Sequence, residues 1–568
     1  MKPLSDRKLI KYLLFISVIT LCLVMPAFFS PAYAADVESS PLTFTVDSNT
    51  YQILSQSSQT AALIKTAQTK GDFVVPSTVT YQEETYKVTQ VGGSAEKVTE
   101  LDMDTDSYFT YYKGSFSDNE FSSITVGDSV TKIADYAFYG ITNLQKVTIN
   151  SDEIVIGKYA ISHISGIWFD ERTVTINAHK VILEKGALAY ALMTKITINA
   201  DQLSVGDYAL ANAPKAITLP QGTTAIGDFA LIGCTGTFTI PQDVKSIGDG
   251  AFFKMKLKLA DGNKYFKISH GVLYNKKGSE LIRAFDVSGR FFVPWGVTSI
   301  RKYAFAYSDV YCFAASRYIK EIPDYAFYKC PSLTLAFTTK GTTTIGKNAF
   351  CACDKLKKVR LSDTIETVGD YAFFNDNKLS KCILPSSLQT IGKRAFDRTS
   401  VSTVTIPASV TSIGRNAFGL YSDGITESSI SLTFDKGNAV YEQKGNIVYQ
   451  KGTPTILMMI LDASADQIRL PEGTKDIGDI NFINFNDMME LVIPASATSV
   501  DTMVFSNYNN REDMGFVRFE GNAAPLFNYR DNVVFHINAA VPAKAEESYR
   551  QAFANLPLTK QQTVNIYS

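Results

Sequence analysis

The sequence predicts a repeat solenoid, a right-handed stack of short units with a parallel β-sheet along its concave face, short helices or helical turns on the other, and a cap at each end. Two observations lead there. One phrase, aliphatic-Gly-x-x-Ala-Phe, recurs at nearly constant spacing, and it alternates with short stretches of period two that end in Pro or Asn. Self-similarity of this kind marks stacked supersecondary units.

The phrase is clearest from Ile300 to Phe305, Ile322 to Phe327, Ile345 to Phe350, Val368 to Phe373, Ile391 to Phe396 and Ile413 to Phe418, with successive Phe residues 22, 23, 23, 23 and 22 apart. Weaker copies end at Phe138, Ile161, Leu188, Leu210, Leu231 and Phe252 upstream and at Phe482 and Phe505 downstream, making fourteen. In Ala349-Phe350-x-x-Cys353-x-x-Leu356 the apolar residues fall on one face of a short helix or helical turn. Val359-Arg360-Leu361 and Val404-Thr405-Ile406 then alternate as a half-buried strand does. Pro220, Pro241, Pro385, Pro407 and Pro494 end that strand because proline donates nothing to a ladder; Asn150, Asn177, Asn199 and Asn538 take the same place elsewhere. The recurrent Gly346, Gly369, Gly392 and Gly414 suit a tight turn into the helical half. One unit cannot bury its apolar stripe, so stability comes from stacking Phe on Phe and Ile on Ile, about 1.5–3 kcal/mol per large buried side chain.

The phrase aliphatic-Thr-x-Ile-Gly-x-x-Ala-Phe, continued by x-x-Cys-x-x-Leu and Val-x-Ile-Pro, resembles the BspA-type leucine-rich repeat, and Val410 to Phe418 follows it almost word for word. The resemblance covers roughly residues 121–520 and implies a leucine-rich-repeat array. It also implies a surface that attaches to host matrix or plasma proteins, or to other microbes. Hairpin-like insertions near 260–295 (Gly271 to Ile282) and 435–470 (Gly445 to Tyr449) explain the gaps of 53 and 64 residues after Phe252 and Phe418. Residues 521–568 read as a C-terminal cap, with Tyr549 and Phe553 on one face of a closing helix. The repeats ending at Ile161 and Leu188 are degenerate. Residues 35–120 keep a vestige around Val88 to Gly92 and read as an N-terminal cap.

Residues 1–34 read as a secretion signal: Lys2, Arg7, Lys8 and Lys11 precede an apolar stretch from Leu13 to Phe29, and Ala32-Tyr33-Ala34 supplies a cleavage site. An uncleaved anchor is the competing reading, disfavoured by the Ser30-Pro31 break. No second membrane span follows, so the expected location is secreted, extracellular or cell-surface. Six cysteines remain, Cys234, Cys312, Cys330, Cys351, Cys353 and Cys382. An even count in an exported chain suggests disulfides, but Cys234, Cys330 and Cys353 occupy one recurring core position and read as buried thiols.

With 55 Lys plus Arg against 56 Asp plus Glu, charge gives no reason to expect a nucleic-acid partner. There is no His-Glu-x-x-His, Cys-x-x-Cys, phosphate-binding glycine loop or Gly-x-Ser-x-Gly; no catalytic residue, metal site or cofactor is expected. Solvent-facing strand centres are Thr148, Thr175, Thr197, Thr218, Thr239, Lys258, Arg360, Thr405, Thr433 and Arg518. Threonine suits an exposed strand whether or not it binds anything. The functional reading makes this concave face the ligand surface, and Lys258, Arg360 and Arg518 its recognition residues. A flat threonine lattice for ice is interrupted by the two cations Lys258 and Arg360. Tyr108 to Tyr112, with Phe116 and Phe121, form either a contact patch or cap packing. The function expected is an adhesin-like module with an extracellular protein or glycan ligand. The alternative is a structural component of the envelope or matrix.

Overall fold

A regular repeat folds as one coil with two strands. The computed structural model describes residues 42–102, 107–164, 171–191, 193–214, 217–418, 430–461, 467–482, 490–508, 515–529, 535–558 and 562–568. The chain divides into the units Met1–Phe44 and Thr45–Ser568, and the coils belong to the second. The secretion signal and its cleavage site lie outside the described residues.

The period-two stretch forms the first strand of a coil, as at Leu335–Phe337, Lys358–Arg360 and Lys381–Cys382. These strands pair in parallel, with Phe313, Ala336, Val359 and Cys382 in line. The residues just before the recurrent glycine form a second strand of two residues, as at Thr344–Ile345, Thr367–Val368 and Thr390–Ile391, placing Ile345, Val368 and Ile391 in line. In both sheets the apolar member of the alternation points inward and is buried. Proline decides where the first strand stops, by its missing N–H and fixed φ. Where Asn177 and Asn199 replace it, Thr173–Leu183 and Lys195–Val205 run on unbroken, paired from Thr173 opposite Lys195 to Leu183 opposite Val205.

The remainder of the coil is a run of hydrogen-bonded turns in which left-handed residues recur. Tyr325 and Lys329 have φ of +57° and +53°, and Asn348 and Ala352, one coil on, have +54° and +59°. Amides of Tyr325, Phe327 and Lys329 donate to the carbonyls of Lys347, Ala349 and Cys351 in the next coil at 2.8, 2.7 and 2.9 Å. The alternate amides close turns within the coil, as from Ala326 to Pro323 and Tyr328 to Tyr325, both 3.1 Å. Ala349, Phe350, Cys353 and Leu356 still all face inward, so the expected apolar face forms, as turns and not as an α-helix. A left-handed non-glycine residue costs ~1 kcal/mol, which the inter-coil bonds of this ladder offset.

The recurrent glycine serves close packing between coils. A Cβ on Gly392 would lie 2.4 Å from the amide nitrogen of Asp370, and one on Gly346 would lie 2.6 Å from that of Asp324. Neither has a positive φ, so the tight-turn reason expected from sequence gives way to backbone approach, the left-handed residue coming two positions later.

Inside, phenylalanines stack along the array. Ring centroids of Phe305, Phe327, Phe350, Phe373, Phe396 and Phe418 are separated by 4.7, 5.0, 5.3, 5.1 and 5.4 Å in succession, with interplanar angles of 17° or less. Upstream, Phe116 stacks on Phe138 as a separate pair, 5.1 Å apart, and is fully buried with Phe121, so these two residues pack the core.

The two insertions are equivalent. Phe266–Ser269, Val272–Asn275 and Glu280–Ala284 form an antiparallel meander whose last strand joins the second sheet, Leu281 opposite Ile300. Tyr441–Lys444, Ile447–Gln450 and Thr453–Ile460 do the same, Leu457 opposite Ile477. Each is pinned by a buried asparagine after a strand-ending proline. Asn263 Nδ2 donates to Pro241 O and Asn438 Nδ2 to Pro407 O, both at 3.0 Å, while their Oδ1 atoms accept the amides that start each hairpin.

Both sheets extend beyond the legible repeats. Upstream, Lys70–Val74 pairs in parallel with Glu120–Val126, and Glu84–Val91 with Lys132–Ile133, so the vestige at Val88 to Gly92 includes a true second-sheet strand. Downstream, Gly515–Phe519, Phe535–Ala540 and Gln562–Tyr567 continue the first sheet. The α-helix Glu546–Ala554 buries Tyr549 and Phe553, as the sequence predicts.

Candidate binding face

Outward side chains of the first strands form a row along the stack. Thr125, Thr148, Thr175 and Thr197 stand directly opposite one another. Beside them the Asn177 amide donates to Asn150 and the Asn199 amide to Asn177, both at 2.7 Å. Thr218 is exposed but lies outside any strand. Thr239 pairs with Lys258, and Thr405 with Thr433, whose hydroxyls meet at 3.2 Å. Arg518 sits opposite Val492 and Ala540 and is held by Glu490, with Nε 2.8 Å and Nη2 2.7 Å from Oε1. Its charge is therefore already met within the protein.

Between Lys258 and Thr405 the row changes chemistry. Phe292, Ala314, Phe337 and Arg360 follow in register, and Ile383, next to Cys382 opposite Val359, continues the line. Phe292 is 64% exposed, Ile383 86%, and Trp295, just beyond the Phe292 strand, 84%. The Trp295 ring meets Tyr318 edge-on at 6.0 Å, and Tyr311 is exposed on a neighbouring strand. Large apolar side chains gathered on solvent around a cation are a costly arrangement for a free surface. Arg360 was anticipated as a recognition residue; Phe292, Trp295, Phe337 and Ile383 were not. Their signal was available, since in the alignment of repeats Phe292, Phe337 and Ile383 take the place that Thr holds elsewhere.

The six cysteines are all buried and unpaired. Cys330 and Cys353 thiols each reach a carbonyl oxygen of the preceding coils, Phe305 O and Phe327 O, at 3.0 Å. Burial pushes the Cys234 thiol up to about 11, and those of Cys351 and Cys382 to about 12. His163 packs between Tyr139 and Tyr190, and burial lowers its pKa. Among the described residues no three His, Cys, Asp or Glu side chains converge as metal ligands, and no helix is long and apolar enough to cross a membrane.

Coils of one strand from each of two parallel sheets, closed by a turn ladder over a stacked phenylalanine core, define a leucine-rich-repeat solenoid. The chain belongs to the BspA-type leucine-rich repeat family, whose model matches residues 110–214, 181–281, 298–423 and 461–523. Among solved structures it is similar to a leucine-rich cell surface protein of Faecalibacterium prausnitzii at 21% identity, over 67% of this chain and 96% of that one, with a TM-score of 0.42. A leucine-rich repeat protein of Eubacterium ventriosum matches at 20% identity over 70% and 99% of the two chains, TM-score 0.40. The pneumococcal vaccine antigen PcpA matches at 15% identity over 93% and 99%, TM-score 0.37. No curated protein sequence matches the chain.

Proposed function

We propose that this protein works outside the cell as a non-catalytic, adhesin-like module, and that it holds a protein partner through the stretch of the first sheet from Phe292 to Ile383. The observation that supports this reading is the exposure of Phe292 and Ile383 in line with Arg360, with Trp295 exposed just beyond the Phe292 strand. Aromatic anchors with an arginine are the side chains that dominate protein interfaces, because they desolvate large areas at small entropic cost. Membership in the BspA-type family and the leader-like N-terminus agree with a surface or secreted location. The Thr and Asn rows upstream contribute a regular polar border to the same sheet.

The test is a screen of the mature protein against matrix proteins, plasma proteins and whole cells, repeated with Phe292→Ser, Trp295→Ser and Ile383→Ser combined. The expected result is a bound partner lost with the triple variant while the melting temperature stays within a few degrees. Retention of full affinity by the triple variant removes this face from consideration.

A further inference from the structure

On the turn side of the coils a second aromatic surface opens, independent of the first sheet. Left-handed positions carry Tyr136, Tyr159, Tyr208, Phe229, Tyr303 and Tyr325, whose rings line up outside the core; Tyr136 and Tyr159 are 5.5 Å apart, Tyr208 and Phe229 5.0 Å, Tyr303 and Tyr325 4.8 Å. In the coil that ends at Phe252 this position is Gly250, and a Cβ there would fall 2.6 Å from the Phe229 ring. Phe229 therefore closes over the glycine to meet Tyr303 edge-on at 5.0 Å. Beside that junction lies a cleft of about 500 Å³ walled by Phe229, Phe253, Tyr303, Tyr307, Tyr325 and Tyr328, with Lys254 and Thr235 also lining it. This volume is within the usual range for a small-molecule site.

Near Tyr303 stand the carboxylates Asp249 and Asp324, the latter paired with Lys302 at 3.0 Å, while the lysines at the other side of the cleft have no such partner among the described residues. Lys254 Nζ lies 4.9 Å from the centre of the Tyr307 ring and Lys329 Nζ 5.3 Å from that of Tyr328, and neither forms an ion pair among the described residues. Behind Phe253 lies Arg283, only 5% exposed, its guanidinium 5.6 Å from the ring centre and donating to Tyr303 O and Ala306 O at 2.9 Å each. Its Nε has no partner, and its hydrogen bonds go to carbonyls. Three of the six ring walls, Phe253, Tyr307 and Tyr328, are thus already faced by cations, which disfavours a further cationic group there. The hydroxyls of Tyr303, Tyr307 and Tyr325 make no hydrogen bond among the described residues and remain available to a polar ligand.

We infer that this cleft binds a saccharide bearing a negative charge, a carboxylate or a sulfate, with its C–H face on the tyrosine rings and its anionic group toward Lys254. A pyranose offers the needed combination: weakly positive C–H groups for the negative ring faces, and hydroxyls for the phenol edges. The anion supplies the counter-charge that Lys254 and Lys329 lack.

Titration calorimetry of the full mature chain with sialyllactose, a heparin tetrasaccharide and neutral lactose tests this. At least one acidic sugar should bind about tenfold or more tighter than lactose, weakening as salt rises. Lys254→Glu should abolish the preference for the acidic sugar, and Tyr328→Ala should weaken binding with the melting curve preserved. The Phe292, Trp295 and Ile383 triple variant should bind the sugar normally, which separates this site from the protein-binding face whichever of the two fails. No binding by either acidic probe, equal binding of lactose, or an unchanged preference in a folded Lys254→Glu protein each overturns the assignment.

Discussion

Asp370 Oδ1 accepts a hydrogen bond of 2.7 Å from the amide of Lys393, 23 residues further on in the next coil. The same bond joins Asp324 to Lys347 at 2.8 Å, Asp228 to Asp249 at 2.7 Å and Asp207 to Asp228 at 2.8 Å. Each carboxylate fastens the start of the following turn ladder. Asp370→Ala should cost ~1 kcal/mol in urea unfolding, and Asp370→Asn less. Gly392→Ala should cost more, about 1–3 kcal/mol, since its methyl would press on the Asp370 amide. A neutral Gly392→Ala would show that the coils can separate freely.

Asp376 is completely buried, its Oδ1 bonded to the Cys353 amide at 2.7 Å and its Oδ2 without a partner. Burial pushes this carboxyl well above the usual carboxylate range, against the opposing pull of the Cys353 amide. The folded protein therefore keeps a proton that the unfolded chain gives up near pH ~4. The stability this group contributes is full below that pH and falls as pH rises. Asp376→Asn, neutral in both states, should raise the melting temperature at pH 7 and lose most of the advantage at pH 4. A gain independent of pH would show that Asp376 is ionised in the fold.

The raised thiol pKa values of Cys234, Cys351 and Cys382 leave almost no thiolate at neutral pH. Native protein should resist alkylation at all six described cysteines, and all six should label after denaturation without reductant. Fewer labels, counted by mass spectrometry, would reveal disulfides.

Deleting Val368 to Thr390 joins Thr367 to Ile391 and brings Ile345 opposite Ile391, as it now stands opposite Val368. Phe350 then stacks on Phe396. The shortened array should fold with a modest loss in thermal stability, whereas deleting half as many residues should unfold its neighbourhood. Equal melts for the two deletions would contradict the coil register.

The phenylalanine stack and the strand-ending prolines were legible because burial and a missing N–H each act at one residue. Gly250 and Gly392 show what was not. Both are glycines in the repeat, one opening an aromatic column and the other admitting a neighbouring backbone, and only the distance across coils separates these roles. The second sheet was hidden for a different reason: two residues such as Thr344-Ile345 are too few to display a period. The turns imitated a helix because Ala349, Phe350, Cys353 and Leu356 face inward under either geometry. On the binding face, Phe292 and Ile383 resemble core residues in composition, and their exposure follows only from register.

The turn ladder also gives the molecule a polarity. From Tyr136 bonding to Lys158 through Phe396 bonding to Ala417, inter-coil amides of the turns donate toward the C-terminal neighbour. Their dipoles add, as in a helix, but with the positive end toward the C-terminus. A coil at one end of such a row presents carbonyls and a coil at the other presents N–H groups.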